Sequence, residues 1–386
     1  YFKYSDFLIE NVNSALSTNV PMLDLALPLA ISFFTFQQIS FLYDTYVGRI
    51  EECDFAKYCL FVVFFPQLIA GPIVLQKHTI PQFTMASFNK SALMNISVGT
   101  TLFIIGLFKK IVLADGIAPI VNTVFNAGEA GHSIPFEAAW MGTIAYTFQI
   151  YFDFSGYCDM ALGLARIFGI RLPINFNSPY KAVNIVDFWR RWHITLSAFL
   201  RDYLYIPLGG NKKGLSRRYV NLTTTMLLGG LWHGASWNFL VWGLFHGFFL
   251  TSEHAGFSTI LKKTWRPIQH FYLLLVVIIS WVFFRADTLT IALEYLNVMF
   301  SADTFQISYF QFIQVSTNES IYAFVIGCLL ATPIYNWSKN QVSQKINYLP
   351  NLFTTPSRIL IPTLLLLLSI FKVASSTYNP FIYFRF

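Results

Sequence analysis

Charge is what this sequence has least of. Only 12% of its 386 residues are Asp, Glu, Lys or Arg, while 55% are hydrophobic and 18% aromatic; soluble domains carry roughly one-quarter charged residues. With a mean hydropathy of +0.52, that scarcity excludes a soluble globular enzyme and places the chain in a bilayer. Cysteine is scarce too. Cys53, Cys59, Cys158 and Cys328 lie within or beside apolar runs and form no CxxC pair, which excludes a disulfide framework and a zinc ribbon and leaves small buried hydrophobes. No Gly-x-Ser-x-Gly elbow, HExxH or closely spaced carboxylate–His pattern is present, so a serine-hydrolase elbow and a metal site are set aside. An initiator Met, a signal-peptide pattern, an internal repeat and a separate soluble stretch are also missing; the chain opens at Tyr1-Phe2-Lys3-Tyr4, already leading toward a span. Nor do the alternating segments of a barrel occur. Runs of about twenty apolar residues recur instead, and an all-α, polytopic membrane protein is expected.

The charge that is present is mostly positive, +7 net. Lys and Arg gather in short segments between apolar runs, as they do in cytoplasmic loops, so they are read as topology and no nucleic-acid partner is expected. Apolar runs predict spans at residues 23–43, 55–75, 93–113, 138–167, 272–284, 321–337 and 359–371. The first carries Gln37-Gln38 and is expected to face protein. In the second, Pro66 and Pro72 must break the helix, either as a cavity wall or as a simple kink. The third is expected to end at Lys109-Lys110. The fourth is interrupted by Gln149, Asp153, Ser155 and Asp159, which reads as a hairpin or bent helix with its carboxylates inward, or as a short polar loop. Residues 166–218, dense in Trp and Arg, are expected to be interfacial or re-entrant under the shelter of other helices. An interfacial segment is expected at 305–312, and an aromatic belt closes the chain at 378–386.

One stretch organises the rest: Gly229-Gly230-Leu231-Trp232-His233-Gly234-Ala235-Ser236-Trp237-Asn238. An ionisable side chain inside an apolar segment is costly, which makes His233 a functional candidate rather than a packing histidine. The loop 211–218 holds Lys212, Lys213, Arg217 and Arg218, and a second cluster is Lys262-Lys263-Thr264-Trp265-Arg266. If both are cytoplasmic, the chain between them must enter the membrane and return, over limbs at 219–231 and 237–251. His233 then sits near the tip of an inserted hairpin, roughly 20 Å from Tyr219 at 1.5 Å per residue. His246 lies on the returning limb, either lining the site or packed. His233 and His193, on separate segments among Trp, Arg and carboxamides, suit acyl transfer to an alcohol: imidazole takes the proton while N–H donors steady the acyl oxygen.

The blocks Tyr151-Phe152-Asp153-Phe154-Ser155-Gly156-Tyr157, Asp187-Phe188-Trp189-Arg190-Arg191-Trp192-His193, Leu200-Arg201-Asp202-Tyr203-Leu204-Tyr205-Ile206-Pro207-Leu208-Gly209-Gly210 and Leu231-Trp232-His233-Gly234-Ala235-Ser236-Trp237 resemble the signatures of membrane-bound O-acyltransferases. The similarity is to the branch of bacterial alginate and peptidoglycan O-acetyltransferase membrane subunits. The resemblance implies that residues 1–386 form a single transmembrane domain, a tilted helix bundle around a central tunnel with re-entrant segments, lacking the family's first spans. It implies catalytic roles for His233 and His193, and a tunnel-lining set of Trp232, Asn238, Trp189, Arg190, Arg201, Asp202, Tyr205, Gln149, Asp153, Ser155 and His246. Arg190, Arg201 and Asp202 would hold the donor's phosphates or the segment's own fold. No cofactor would be permanently bound; acetyl-CoA would be the acyl donor, entering from the cytoplasm. A periplasmic or extracellular SGNH-type O-acetyltransferase would be the partner, in a multi-pass bacterial inner-membrane assembly. Peptidoglycan is favoured by the Asn, Ile, Phe and Lys usage of an AT-rich genome, with alginate, another exopolysaccharide, or D-alanyl transfer to teichoic acid as alternatives. Two other classes stand beside this reading: a transporter of an acyl carrier without chemistry, and a scaffold for an outer transferase.

Overall fold

The computed structural model describes residues 1–28, 30–50, 54–68, 71–84, 91–301, 317–332, 354–375 and 380. Among them all regular structure is helical. The elements are α1 Ser5–Leu16, α2 Ile31–Tyr46, α3 Phe55–Val63, α4 Ala92–Glu129, α5 Phe136–Ile167, α6 Ile185–Trp189, α7 Ile194–Leu200, α8 Leu215–His233, α9 Trp237–Ser252, α10 Arg266–Arg285, α11 Leu289–Phe300, α12 Asn318–Ala331 and α13 Thr354–Ser375. Among the described residues, α4 and α10 are long and apolar enough to cross a bilayer. The predicted segment 305–312 and the closing aromatic run, apart from Pro380, lie outside the described residues.

The scaffold is the antiparallel pair α4 and α5, which touch backbone to backbone through two glycine pairs. A Cβ on Gly163 would lie 2.6 Å from the Gly99 carbonyl oxygen, and one on Gly156 would lie 2.7 Å from that of Gly106. In lipid, where apolar contact supplies no net drive, such small-residue seams let helices approach closely enough for dispersion and polar contacts to hold them. Gly163→Leu is therefore expected to force the pair apart and to lower the thermal unfolding midpoint in detergent by several degrees, at a cost of about 1–3 kcal/mol or more. An unchanged midpoint would show that the seam is not tight.

The seam corrects two expectations. Residues 93–113 do not end a helix at Lys109-Lys110: the chain continues as one helix to Glu129, with a π-helical turn at Lys109–Ala114. Residues 138–167 neither turn back as a hairpin nor loop out but belong to the 32-residue α5, with the Asp153 carboxylate buried inward as expected. The reason is pairing. Lys109 meets Asp159 at 2.6 Å, and Lys110 sits between Asp153 at 2.6 Å and Asp115 at 2.8 Å. Charges on each helix answer those on the other, so neither helix has to stop at its polar residues. The short α1 was not foreseen, and α2 begins at Ile31, after the left-handed Ala30, rather than at 23.

The break at Pro66 and Pro72 is present: α3 ends before Phe64, one helical turn follows at Phe65–Leu68, and residues 71–75 have no regular structure. This segment is held in protein, the Ile73 N–H donating to Thr195 Oγ1 at 3.0 Å. It lines neither cavity described below. Residues 169–205 thread between α5 and the α8–α9 hairpin as extended chain, single turns, α6 and α7, with Phe188, Trp192 and Phe199 buried. Buried Glu253, in a π-helical turn continuing α9, fixes them by accepting the Ile185 and Val186 N–H groups at 2.7 and 3.0 Å.

Candidate active site

His233 is the last residue of α8, and Gly234, Ala235 and Ser236 join it to α9. The 19-residue α8 is about 28 Å long at 1.5 Å per residue, and the imidazole lies at its far end from the cation loop. The expected hairpin and its His tip are thus present. The ring is only 5% exposed, walled by Trp232, Trp242 and Phe284 at centroid distances of 4.8, 5.1 and 5.1 Å. Trp232 is itself clamped by α2, stacked on Phe36 at 5.0 Å and edge-on to Phe33.

Two other histidines reach this ring through indoles. His193 packs against Trp232 at 6.3 Å, and its Nδ1 meets Asn175 Oδ1 at 3.2 Å. Since that amide oxygen also accepts from the Thr195 N–H and hydroxyl, the His193 proton belongs on Nδ1. Its left-handed backbone, φ 45°, turns the chain from α6 into α7. His246 packs on Trp242 at 4.9 Å, and the Trp189 indole N–H donates to its Nδ1 at 3.3 Å, which leaves the neutral ring's proton on Nε2. Both histidines are fully buried.

Two cavities meet the chain at consecutive residues. The first, about 350 Å³, runs down one face of α8 through Arg218, Leu222, Thr225, Gly229 and His233, the i, i+4, i+7, i+11 and i+15 positions that helical periodicity aligns. Arg190, Arg201 and His254 line it too. Arg218 Nη2 lies 2.7 Å from His254 Nδ1, and Arg201 makes a two-point pair with Asp202 at 2.7 and 3.0 Å. The second cavity, about 370 Å³, begins at Gly234 and is the more polar of the two, with Lys3, Lys110, Gln149, Asp153, Asn238 and Arg285 in its wall. Asn238 ties α9 to the end of α10, donating to the Phe283 and Ala286 carbonyls.

The residues singled out from sequence therefore divide. His233, Trp189, Arg190, Arg201 and Tyr205 line the first cavity; Gln149, Asp153 and Asn238 line the second. His193, His246, Trp232, Ser155 and Asp202 line neither. Among the described residues, three π-helical turns, at Lys109–Ala114, Arg201–Tyr205 and Glu253–Phe257, each put a residue, Lys110, Arg201 or His254, on a cavity wall, a placement common for such turns.

Sequence reasoning missed His254 and Lys3, and it read Arg218 only as loop charge. The Lys3 ammonium donates to the Trp232 carbonyl at 2.6 Å, the His233 carbonyl at 3.2 Å and Ser32 Oγ at 3.3 Å. The Tyr4 hydroxyl donates to the Leu231 carbonyl at 3.2 Å. Together they cap carbonyls that the end of α8 leaves without helical partners. No local pattern announces a contact across some 230 residues; the only signal was a lysine beside tyrosine at the head of an apolar chain.

The model of the MBOAT, membrane-bound O-acyltransferase family, matches residues 25–296, a stretch that includes α2 through most of α11 and both walls of the His233 hairpin. The chain belongs to the membrane-bound O-acyltransferase family. It is 46% identical over 328 residues to a peptidoglycan O-acetyltransferase of Helicobacter pylori, a match covering 78% of this chain and 62% of that protein. It is 36% identical over 415 residues to a probable alginate O-acetylase AlgI of Azotobacter vinelandii, covering all of this chain and 82% of the other. A teichoic acid D-alanyltransferase of Streptococcus thermophilus is 29% identical over 236 residues, 59% of this chain and 57% of the other. The chain thus spans less than two-thirds of the Helicobacter relative's length. Membership makes it membrane-bound, and among the described residues no cluster of His, Cys, Asp and Glu is arranged to hold a metal.

Proposed function

We propose that this chain is a multi-pass inner-membrane O-acetyltransferase subunit, one transmembrane domain over residues 1–386, that takes acetyl groups from cytoplasmic acetyl-CoA and passes them to a hydroxyl acceptor on the outer side. The observation that carries this reading is the single face of α8 along which one cavity runs from Arg218 to His233. An elongated donor with phosphates at one end and a thioester at the other fits that groove in one orientation. Arg190 and Arg218 hold the phosphates, Arg being suited to planar oxyanion recognition, and the acetyl group lies beside His233. By the positive-inside bias the Arg218 end is cytoplasmic, and the polar cavity at Gly234 opens outward. We infer that the two cavities join past His233 into a tunnel pinched at the reaction centre.

The chemistry follows. His233 takes the proton of the acceptor hydroxyl as its oxygen attacks the thioester carbonyl; the C–S bond breaks, and the proton leaves with CoA as a thiol. The Trp242 indole N–H flanks His233 on the wall of the first cavity and, among the described residues, meets no acceptor, while the Trp232 indole packs on the same imidazole outside that cavity. Buried donors without partners are expensive, and a developing acyl oxyanion would satisfy that of Trp242. His193 and His246 act from behind these indoles, holding them in place. The final polymer is peptidoglycan, favoured by the 46% relative, with a secreted SGNH-type transferase as the outer partner.

Inside-out membrane vesicles containing the chain, given acetyl-labelled acetyl-CoA, test the reaction: free CoA and label on an outer-face hydroxyl are expected. Transport of label without release of CoA would instead identify a carrier. The donor groove has its own test. Arg218→Gln is expected to raise the KM for acetyl-CoA about tenfold with kcat nearly constant, as loss of a charge-assisted phosphate contact requires. A change in kcat alone would place Arg218 outside the donor site.

A further inference from the structure

A third cavity, about 610 Å³, shares no lining residue with the two at His233. It lies between the turn at Pro179–Lys181, the start of α10 and the end of α12. Its floor is apolar, with Phe148, Tyr180 and Leu274, and its rim carries Lys181, Arg191, Arg266 and His270. Arg191 is already engaged by Asp187 at 2.9 Å. Lys181, Arg266 and His270 form no hydrogen bond or ion pair through their side chains among the described residues.

The placement of these cations asks for an anion. Arg266 is the first residue of α10, and Lys262 and Lys263 precede it closely, so positive charge accumulates at the positive end of a helix dipole, a place that favours a bound anion. Depth names the kind of anion. α10 is long and apolar enough to cross a bilayer. Trp265, immediately before it, is 74% exposed, as a headgroup-level anchor is, and Ile268 and Phe271 in its first turns are 51% and 68% exposed, as lipid-facing residues are. The cavity therefore opens at headgroup depth on the cation-rich side, with apolar surface beneath its charged rim.

We propose that this cavity is a binding site for an anionic phospholipid, its phosphate held by Lys181, Arg266 and His270 and the upper part of its acyl chains lying against Phe148, Tyr180 and Leu274. Basic pockets at the cytoplasmic ends of membrane helices recognise headgroups in this way. Because Arg191 and Asp187 flank both the rim and α6, which carries Trp189, the lipid would also brace the wall of the His233 site.

Native mass spectrometry of the full chain in detergent, loaded with phosphatidylglycerol or with phosphatidylcholine of the same acyl chains, tests this. The chain is expected to retain phosphatidylglycerol preferentially, and a triple variant K181Q/R266Q/H270Q is expected to retain about thirtyfold less, the loss that two interfacial cations imply. Should the triple variant fold poorly, as judged by its thermal midpoint in phosphatidylcholine, Lys181→Gln and Arg266→Gln singly are each expected to lose about fivefold. Equal retention of the two lipids, or undiminished phosphatidylglycerol on the variants, overturns the proposal. So does displacement of the lipid by inorganic phosphate or CoA, which would make the site one for a soluble phosphate. None of these results depends on acyl transfer.

Discussion

His233→Ala is expected to reduce acetyl transfer about 10³-fold, the loss typical when a positioned general base is removed. The residue lines the cavity that also holds Arg190 and Arg218, its ring is boxed by Trp232, Trp242 and Phe284, and the second cavity begins at the next residue. No other imidazole reaches either of these cavities at this point: His193 and His246 stand behind indoles, and His254 belongs to the Arg218 end. The KM for acetyl-CoA should change little, because the donor's phosphates bind far from the imidazole. The measurement is O-acetyl content of envelope polymer in cells making the variant at wild-type abundance, together with CoA release in vesicles. Wild-type acetylation by a normally inserted His233→Ala protein would remove the catalytic assignment and leave a scaffold.

Lys3→Met is expected to lower kcat on the order of hundredfold with little change in donor KM, an effect that a misplacement of about 1 Å at the reaction centre suffices to produce. Lys3 touches neither reactant in this reading; it is a positioning residue. Its ammonium holds the carbonyls of Trp232 and His233, the last two residues of α8. Methionine keeps the unbranched four-atom stem of the side chain and removes all three hydrogen bonds, so the helix end is freed to fray and the imidazole with it. Tyr4→Phe, which removes only the bond to Leu231, should cost severalfold at most, about 1 kcal/mol. Lys3→Arg should restore part of the rate, since a guanidinium can still cap carbonyls. A purely structural lysine would lower the amount of folded protein and leave the kcat of what remains unchanged; that result would end the positioning claim.

Much of this arrangement was legible in the residues. The Trp-His-Gly block, bounded by glycines and small polar residues between two cation-rich loops, located a hairpin with His233 at its tip, and α8 and α9 meet there. Pro66 and Pro72 announced a broken helix, since proline lacks an N–H and clashes with the preceding turn wherever it is placed. The signature blocks announced the family. What hydropathy misread were Lys109, Lys110, Asp153 and Asp159, taken as interruptions or ends. Each is costly alone, and each is matched by a residue some 40 to 50 positions away on a neighbouring helix. A scan along the chain sees the cost of burial and not the compensation.

The sequence by itself determined that this protein lives in a bilayer, that it is helical, which family it resembles, and that His233 stands at a turn between two limbs of a hairpin, because those are consequences of composition, local spacing and backbone chemistry. Only the tertiary structure decided which side chains share a cavity with that imidazole, that Lys3 holds its carbonyl, and that His193 and His246 lie behind tryptophans rather than in the open. Those outcomes depend on hydrogen bonds, ion pairs and ring contacts between residues far apart in the chain, whose strength comes from the geometry of approach rather than from residue type.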